Sequence, residues 1–259
     1  MYHSISENER LPRHPYFRTA TAPRVFGEHL KFLYDNGFRP VSLSDAVESG
    51  FVTGSGPGKP VVLTFDDGFL DFYTGAFPLL RQYGYSATVF LPTAYIGDAA
   101  KPFHGAPCLT WSQVRELNGA GMHFGSHTVT HPQLTTLKAE GIREEVRRSK
   151  ETIEEKLGTS VKSFAYPYAF PQADRPFKQK LLETLDEAGY ENGVCTSIGT
   201  ADSSSQRFFL PRLPVNSCDD SRLFKAKLEG GYDWLGTFQY ATKLRPARRA
   251  GEESGFDVV

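Results

Sequence analysis

Between Val61 and Ser197 the chain alternates short apolar runs with longer stretches of helical period, and this alternation constrains the fold more than any other feature. Residues 61–65, 86–91, 122–125, 163–166 and 194–197 read as strands, with the near-continuous hydrophobicity of strands buried on both faces. The intervening segments carry helix signals. Thr110 with Gln113 three residues on forms a capping box, and Gly119 and Gly121 close that helix. Ile142, Val146, Ile153 and Leu157 share one face of a long helix that Gly158 ends. Residues 175–188 form a helix stopped by Gly189, and upstream Phe26, Leu30 and Leu33 mark another that ends near Gly37. The alternation predicts a parallel sheet with helices outside, either closed into a barrel or open and doubly wound. No Gly-x-Gly-x-x-Gly follows the first strong strand, so a dinucleotide-binding sheet lacks its usual support. In both architectures functional residues belong just beyond the C-terminal ends of strands.

Charge and composition remove several function classes. Lys+Arg is 29 against Asp+Glu 30, which argues against nucleic acid or an anionic membrane as the main partner, though not against a local basic patch. No apolar run approaches a membrane span, so no transmembrane segment is expected. The first ten residues lack a basic region followed by an apolar stretch, and a cytoplasmic location is expected. Cys108, Cys195 and Cys218 are odd in number and far apart, so a disulfide framework is not expected. The Gly/Ser/Pro-rich stretch 54–58 reads as a linker that sets off an N-terminal arm over 1–58. One domain is expected over 1–240, with a flexible tail over 241–259. Nothing in the pattern sets an oligomeric state.

Three segments at strand ends can carry chemistry. The first reads Thr64-Phe65-Asp66-Asp67-Gly68. Adjacent carboxylates on an extended chain point apart, so one can bind a metal while the other faces a substrate, although Asp-Asp-Gly is also ordinary turn chemistry. The second reads Ser126-His127-Thr128-Val129-Thr130-His131-Pro132. Two histidines four apart can meet one ion, and Pro132 disfavours helical geometry at His131, so a loop is expected. Asp67, His127 and His131 together make an Asp-His-His set, the three-ligand arrangement that leaves a coordination position open on a catalytic zinc. Cobalt, nickel or iron would also suit these donors. Asp66 is then left free as a base. The third segment reads Ser163-Phe164-Ala165-Tyr166-Pro167-Tyr168, where the Tyr168 N–H after Pro167 can hold a developing oxyanion. Each segment alone has a bland reading as a turn, an incidental pair or an aromatic strand exit. Their common placement after strands carries the argument.

The three segments resemble the first three motifs of the polysaccharide deacetylases, carbohydrate esterase family 4, over about residues 1–230. The resemblance implies an α/β fold, a deformed (β/α)7 barrel of one domain, and metal-dependent hydrolysis of an acetyl group from an N-acetylated sugar. It implies Asp66 as general base, Asp67, His127 and His131 as metal ligands, and Tyr168 as oxyanion donor. The arginine that usually precedes the Pro-Tyr pair is absent here. Arg212, in Leu210-Pro211-Arg212-Leu213-Pro214, is the candidate to orient Asp66 in its place. No histidine follows His131, so the usual C-terminal acid is missing as well. Tyr2-His3-Ser4 resembles the opening of a circularly permuted subgroup that acts on poly-N-acetylglucosamine, which makes a protonated His3 the candidate acid. The expected cofactor is a divalent metal, zinc first, and the expected partner is a carbohydrate. Two alternatives stay open: hydrolysis of a non-polymer amide at the same site, and a catalytically inactive carbohydrate-binding module. Among the remaining residues, His104 could touch substrate from its loop. His123 is expected to pack on its strand, Trp111 to pack in the core, and His14 and His29 to be exposed.

Overall fold

The computed structural model describes residues 1–7, 18–50, 58–236 and 239. The proposed tail over 241–259, most of the linker and His14 lie outside the described residues.

Twelve strands are named in chain order: β1 (Ser4–Ile5), β2 (Ala20–Thr21), β3 (Phe38–Pro40), β4 (Lys59–Val61), β5 (Thr64–Phe65), β6 (Thr88–Leu91), β7 (Pro102–Phe103), β8 (Ala106–Pro107), β9 (His123–Ser126), β10 (Ser163–Ala165), β11 (Asn192–Ile198) and β12 (Leu210–Arg212). The helices are α1 (Pro23–Asp35), α2 (Leu43–Glu48), α3 (Phe77–Gln82), α4 (Trp111–Gly119), α5 (Ala139–Leu157), α6 (Arg175–Glu187) and α7 (Ser221–Leu228).

The main sheet has six strands in the order β12-β11-β10-β9-β6-β5, all pairings parallel. Each strand is laid beside its predecessor and the order never reverses, as in a barrel and unlike a doubly wound sheet. The space between the two outer strands is filled by the first residues of the chain. On one side Tyr2 N donates to Thr64 O at 2.8 Å and Asp66 N donates to Tyr2 O at 3.0 Å. On the other, Val215 N donates to Met1 O at 3.0 Å and Met1 N to Leu213 O at 2.8 Å. This segment acts as a seventh stave, and the result is a deformed (β/α)7 barrel.

The closure is held by apolar packing. Tyr2 is buried, stacked on Phe65 with ring centroids 5.3 Å apart and edge-on to Phe26 at 5.1 Å. Such pairs contribute about 0.5–1.5 kcal/mol beyond their buried area. The described part of the 1–58 segment packs onto the barrel. Its first residues line the barrel, and α1 packs on α3 and α7.

Local signals place the outer helices. Thr110 and Gln113 form the capping box of α4, with Trp111 in the core, and Gly158 ends α5 in a left-handed conformation. The run 61–65 does not form one strand. Its first part pairs with β3 in a separate two-stranded sheet, and only Thr64 and Phe65 join the barrel. The cysteines form no disulfide, and Cys108 and Cys195 are buried.

Gly125, in the strand that leads to His127, sits where no side chain fits. A Cβ there would lie 2.5 Å from Phe90 Cε1 and 2.8 Å from the Ser163 carbonyl oxygen. Gly125→Ala is expected to destabilise the fold by about 1–3 kcal/mol, the range for overpacking, as read from urea unfolding.

His29 is buried rather than exposed, because α1 turns it inward onto Phe224 at 4.2 Å. Its Nε2 lies 2.6 Å from the Asp219 carbonyl and its Nδ1 lies 3.1 Å from the Tyr2 hydroxyl. A carbonyl only accepts, so Nε2 carries the proton and Nδ1 accepts from Tyr2. Burial lowers the His29 pKa. The unfolded chain, titrating near 6.5, then binds more protons than the folded one at mildly acidic pH. The contribution of His29 is present in full above about pH 6.5 and is lost as the pH falls below it. Urea midpoints at pH 7 and pH 5 are expected to differ less in His29→Gln than in the wild type.

Candidate active site

The main-chain conformation singles out one end of the barrel. Among the described residues, the non-glycine positions with positive φ are Asp67 (70°), His104 (47°), Thr128 (68°), His131 (57°) and Tyr168 (57°). Asp67, Thr128, His131 and Tyr168 follow the C-terminal ends of β5, β9 and β10, and the His104 ring lies 6.1 Å from that of His131. Left-handed backbone costs side-chain-bearing residues of order 1 kcal/mol or more and persists where surrounding contacts enforce it. The enforcement here is visible. Leu109 N donates to Gly68 O at 2.9 Å, Thr93 N to Thr128 O at 3.1 Å, and Ala94 N to Val129 O at 2.9 Å. Gly68, with φ 59°, follows Asp67, and a Cβ there would meet Leu91 Cδ2 at 2.8 Å. Thr196 Oγ1 donates to Tyr168 O at 2.9 Å.

The two carboxylates point apart, as the extended chain predicts. Asp66 meets Arg212 in a two-pronged pair, with Nη1 to Oδ1 and Nη2 to Oδ2 both at 2.7 Å. Arg212 Nε donates to Cys195 O at 3.1 Å, and both residues are buried. The guanidinium thus reaches Asp66 from β12, where the sequence-based reading placed its candidate. Burial alone would lift the Asp66 carboxyl, but the Arg212 charge and hydrogen bonds outweigh it and hold it well below the usual carboxylate range.

Asp67 turns the other way. Its Oδ1 lies 3.6 Å from His127 Nε2 and 3.6 Å from His131 Nε2, and the two Nε2 atoms are 3.2 Å apart. Burial, reinforced by the Asp66 charge, pushes the Asp67 carboxyl up to about 8. Burial pulls both imidazoles down, so His127 and His131 are neutral with lone pairs to offer. His127 Nδ1 donates to Ala165 O at 2.8 Å, which turns Nε2 toward Asp67. These donors fit a cation. Ligand atoms about 2.0–2.1 Å from a tetrahedral ion lie about 3.4 Å from one another, close to the separations observed. A bound cation would also give Asp67 a counter-charge that Arg212, engaged by Asp66, supplies only in part.

His3 reaches Asp66 from the closing segment, with Nε2 4.0 Å from Asp66 Oδ2. Its main chain does not fray, because the neighbouring residues are paired on both sides. Burial pulls the His3 imidazole down to about 4 despite the Asp66 charge. This favours the neutral imidazole over the protonated form expected from the sequence. Tyr168 is 48% exposed, and its ring lies 4.6 Å from that of His131. Among the described residues no carbonyl accepts from the Tyr168 N–H.

His104 occupies the tip of the β7–β8 hairpin, with its ring 6.1 Å from His131. His123 is exposed at the opening end of β9, remote from the site. Sequence reasoning missed Glu145. From α5 its carboxylate accepts from Val129 N and Thr130 N, both at 2.8 Å, and so pins the loop between the two histidines. Its only signal was one acidic residue among many on a charged helix.

Comparison with known proteins places this geometry. The family profile described as polysaccharide deacetylase matches residues 53–193. YxkH of Bacillus subtilis (strain 168), which bears the name of a polysaccharide deacetylase, is 29% identical over 231 residues, 88% of this chain and 75% of its own. A poly-beta-1,6-N-acetyl-D-glucosamine N-deacetylase of Staphylococcus aureus (strain MRSA252) is 24% identical over 181 residues, 66% of this chain. The match spans 60% of the length of that relative. Among solved structures, the Streptococcus pyogenes deacetylase PplD in complex with acetate superposes with a TM-score of 0.73 at 25% identity, covering 87% of this chain and 95% of its own.

Proposed function

The chain belongs to the polysaccharide deacetylase family, and from that premise we propose that it is a metal-dependent hydrolase that removes the acetyl group from an N-acetylated carbohydrate. The observation that carries this reading is the pairing of two unlike carboxylates. Asp67 lies with two neutral imidazoles at spacings that suit a divalent ion, and Asp66 is gripped by Arg212 beside it. The seating of Arg212 on Asp66 counts against an inactive module, because the orienting arginine is supplied from β12. The staphylococcal relative favours a polymer of N-acetylglucosamine as substrate.

Asp67, His127 and His131 would hold the ion, zinc in the first instance, with cobalt, nickel or iron as other fitting cations. A divalent cation bound there supplies Lewis-acid chemistry, acidifying a water and polarising a carbonyl. Arg212 keeps Asp66 ionised and aims its oxygens, at the expense of basicity. Asp66 would therefore accept a proton from a water that such a cation acidifies and not from a bulk one. As the water oxygen bonds to the acetyl carbon, the Tyr168 N–H donates to the developing oxyanion. A carboxyl as acidic as that of Asp66 gives its proton up readily. His3 stands 4.0 Å away, about 1 Å beyond hydrogen-bond reach, and passes the proton to the amine as the C–N bond breaks. The products are acetate and the free amine.

The test is zinc binding measured alongside acetate release from β-1,6-linked and β-1,4-linked N-acetylglucosamine oligomers. One zinc per chain is expected, lost in Asp67→Ala, together with release from at least one oligomer. A folded protein that binds no zinc and releases no acetate would overturn the reading.

A further inference from the structure

The two histidines of the metal set are held in different ways. His127 is oriented by a hydrogen bond to Ala165 O. His131 Nδ1 is buried and has no hydrogen-bond partner among the described residues. A histidine that ligates through Nε2 must carry its proton on Nδ1, and such a group normally finds a carbonyl or carboxylate. Around His131 the neighbours are rings. Phe103 lies 5.2 Å away at an interplanar angle of 70°, and Tyr168 closes the other approach at 4.6 Å.

Phe103 is the buried member of this cradle and is itself wedged by Tyr95 at 4.3 Å and Phe69 at 6.1 Å. It belongs to β7, which pairs with β8 around the two-residue turn His104-Gly105. Both turn residues have positive φ, at 47° and 75°, the pattern of a tight hairpin turn that usually holds asparagine or glycine. The base of the hairpin is tied to the other side of the site. Cys108 N donates to Lys101 O at 2.8 Å, and Leu109 N donates to Gly68 O, next to the ligand Asp67. The hairpin thus bridges the Asp67 segment and the His131 ring.

We propose that Phe103 is a positioning residue for the metal, holding the His131 imidazole by edge-to-face packing where a hydrogen bond would ordinarily do so. The proposal rests on the metal reading above. Aromatic packing constrains ring tilt without drawing on the Nδ1 proton, so His131 is the ligand whose placement depends on the hairpin. Loss of an outer partner of a metal ligand typically weakens the metal by about 10–100-fold.

The experiment is competition for zinc against a chromophoric chelator, with the wild type, Phe103→Leu and Phe103→Tyr. Leucine keeps apolar bulk without a ring, and tyrosine restores the ring. Thermal unfolding of each metal-free protein establishes that it is folded. Zinc affinity is expected to fall about 10–100-fold in Phe103→Leu and to recover to within about threefold of wild type in Phe103→Tyr. The visible spectrum of the cobalt-saturated protein should change in the leucine variant alone, reporting altered coordination. If leucine destabilises the metal-free fold, Phe103→Met, with a more adaptable chain, replaces it under the same expectation. Wild-type affinity and an unchanged cobalt spectrum in a folded ring-less variant would overturn the proposal while leaving the metal reading intact. No zinc binding by the wild type would overturn both.

Discussion

Arg212→Met is expected to destabilise the fold by about 3–5 kcal/mol at neutral pH and to lower acetate release by about 10²-fold or more. The reason is what the substitution leaves behind. Asp66 is buried and takes both its charge partner and two of its hydrogen bonds from Arg212. Removal of one member of a buried pair costs far more than the pair contributes, because in the metal-free protein the remaining charge stays buried without its main counter-charge. The pH dependence carries a sign. In the wild type the Asp66 pKa is depressed, so its contribution is present above the unfolded carboxylate pKa near 3.9 and is lost as the pH falls through its folded value. Without Arg212, burial lifts the Asp66 carboxyl instead, and protonation relieves the variant at mildly acidic pH. The gap in unfolding free energy between the two proteins should therefore be widest near pH 7 and narrow toward pH 5. Combining Arg212→Met with Asp66→Leu should recover part of the lost stability and none of the activity. A gap that is constant with pH would show that the two side chains do not act as a pair.

Asp66→Asn is the second large effect. A side chain of the same shape that cannot take a proton should lower kcat at saturating zinc by about 10²–10⁴-fold, the usual weight of general-base work. Zinc should still bind, because Asp67, His127 and His131 are untouched. Asp67→Asn is expected to do the reverse and lose the metal. Separate measurement of zinc affinity and kcat on these two neighbours assigns the carboxylates their roles. Equal effects of both substitutions on zinc affinity would contradict the division of labour.

Much of this arrangement is legible in the sequence, because its signals are local. The Thr110–Gln113 capping box, the left-handed Gly158 and the apolar face of α5 each depend on residues within a few positions of one another. The Asp67, His127 and His131 set also became legible once its members fell at strand ends. What stayed hidden depends on distant partners. Arg212, which meets Asp66 across 146 positions, is reached through the family resemblance and not from hydropathy, which does not tell such an arginine from a surface one. The closing segment around Tyr2 is too short to show a period, so its place between β5 and β12 follows only from pairing with Thr64, Asp66 and Val215. His29 looked exposed beside the charged residues of its helix, although α1 turns it inward onto Phe224. Glu145 and Phe103 act by touching the histidine loop from elsewhere in the chain, and nothing in their own neighbourhoods marks them.

The proposed chemistry needs a divalent metal held by Asp67, His127 and His131, working with Asp66 to hydrolyse an N-acetyl group. The most direct test follows acetate release from N-acetylglucosamine oligomers by chelator-treated protein before and after zinc is returned, with Asp66→Asn in parallel. Release that vanishes with the chelator, returns with about one zinc per chain and stays absent in Asp66→Asn is the predicted result. Release that persists in the metal-free protein, or that survives in Asp66→Asn, would contradict it.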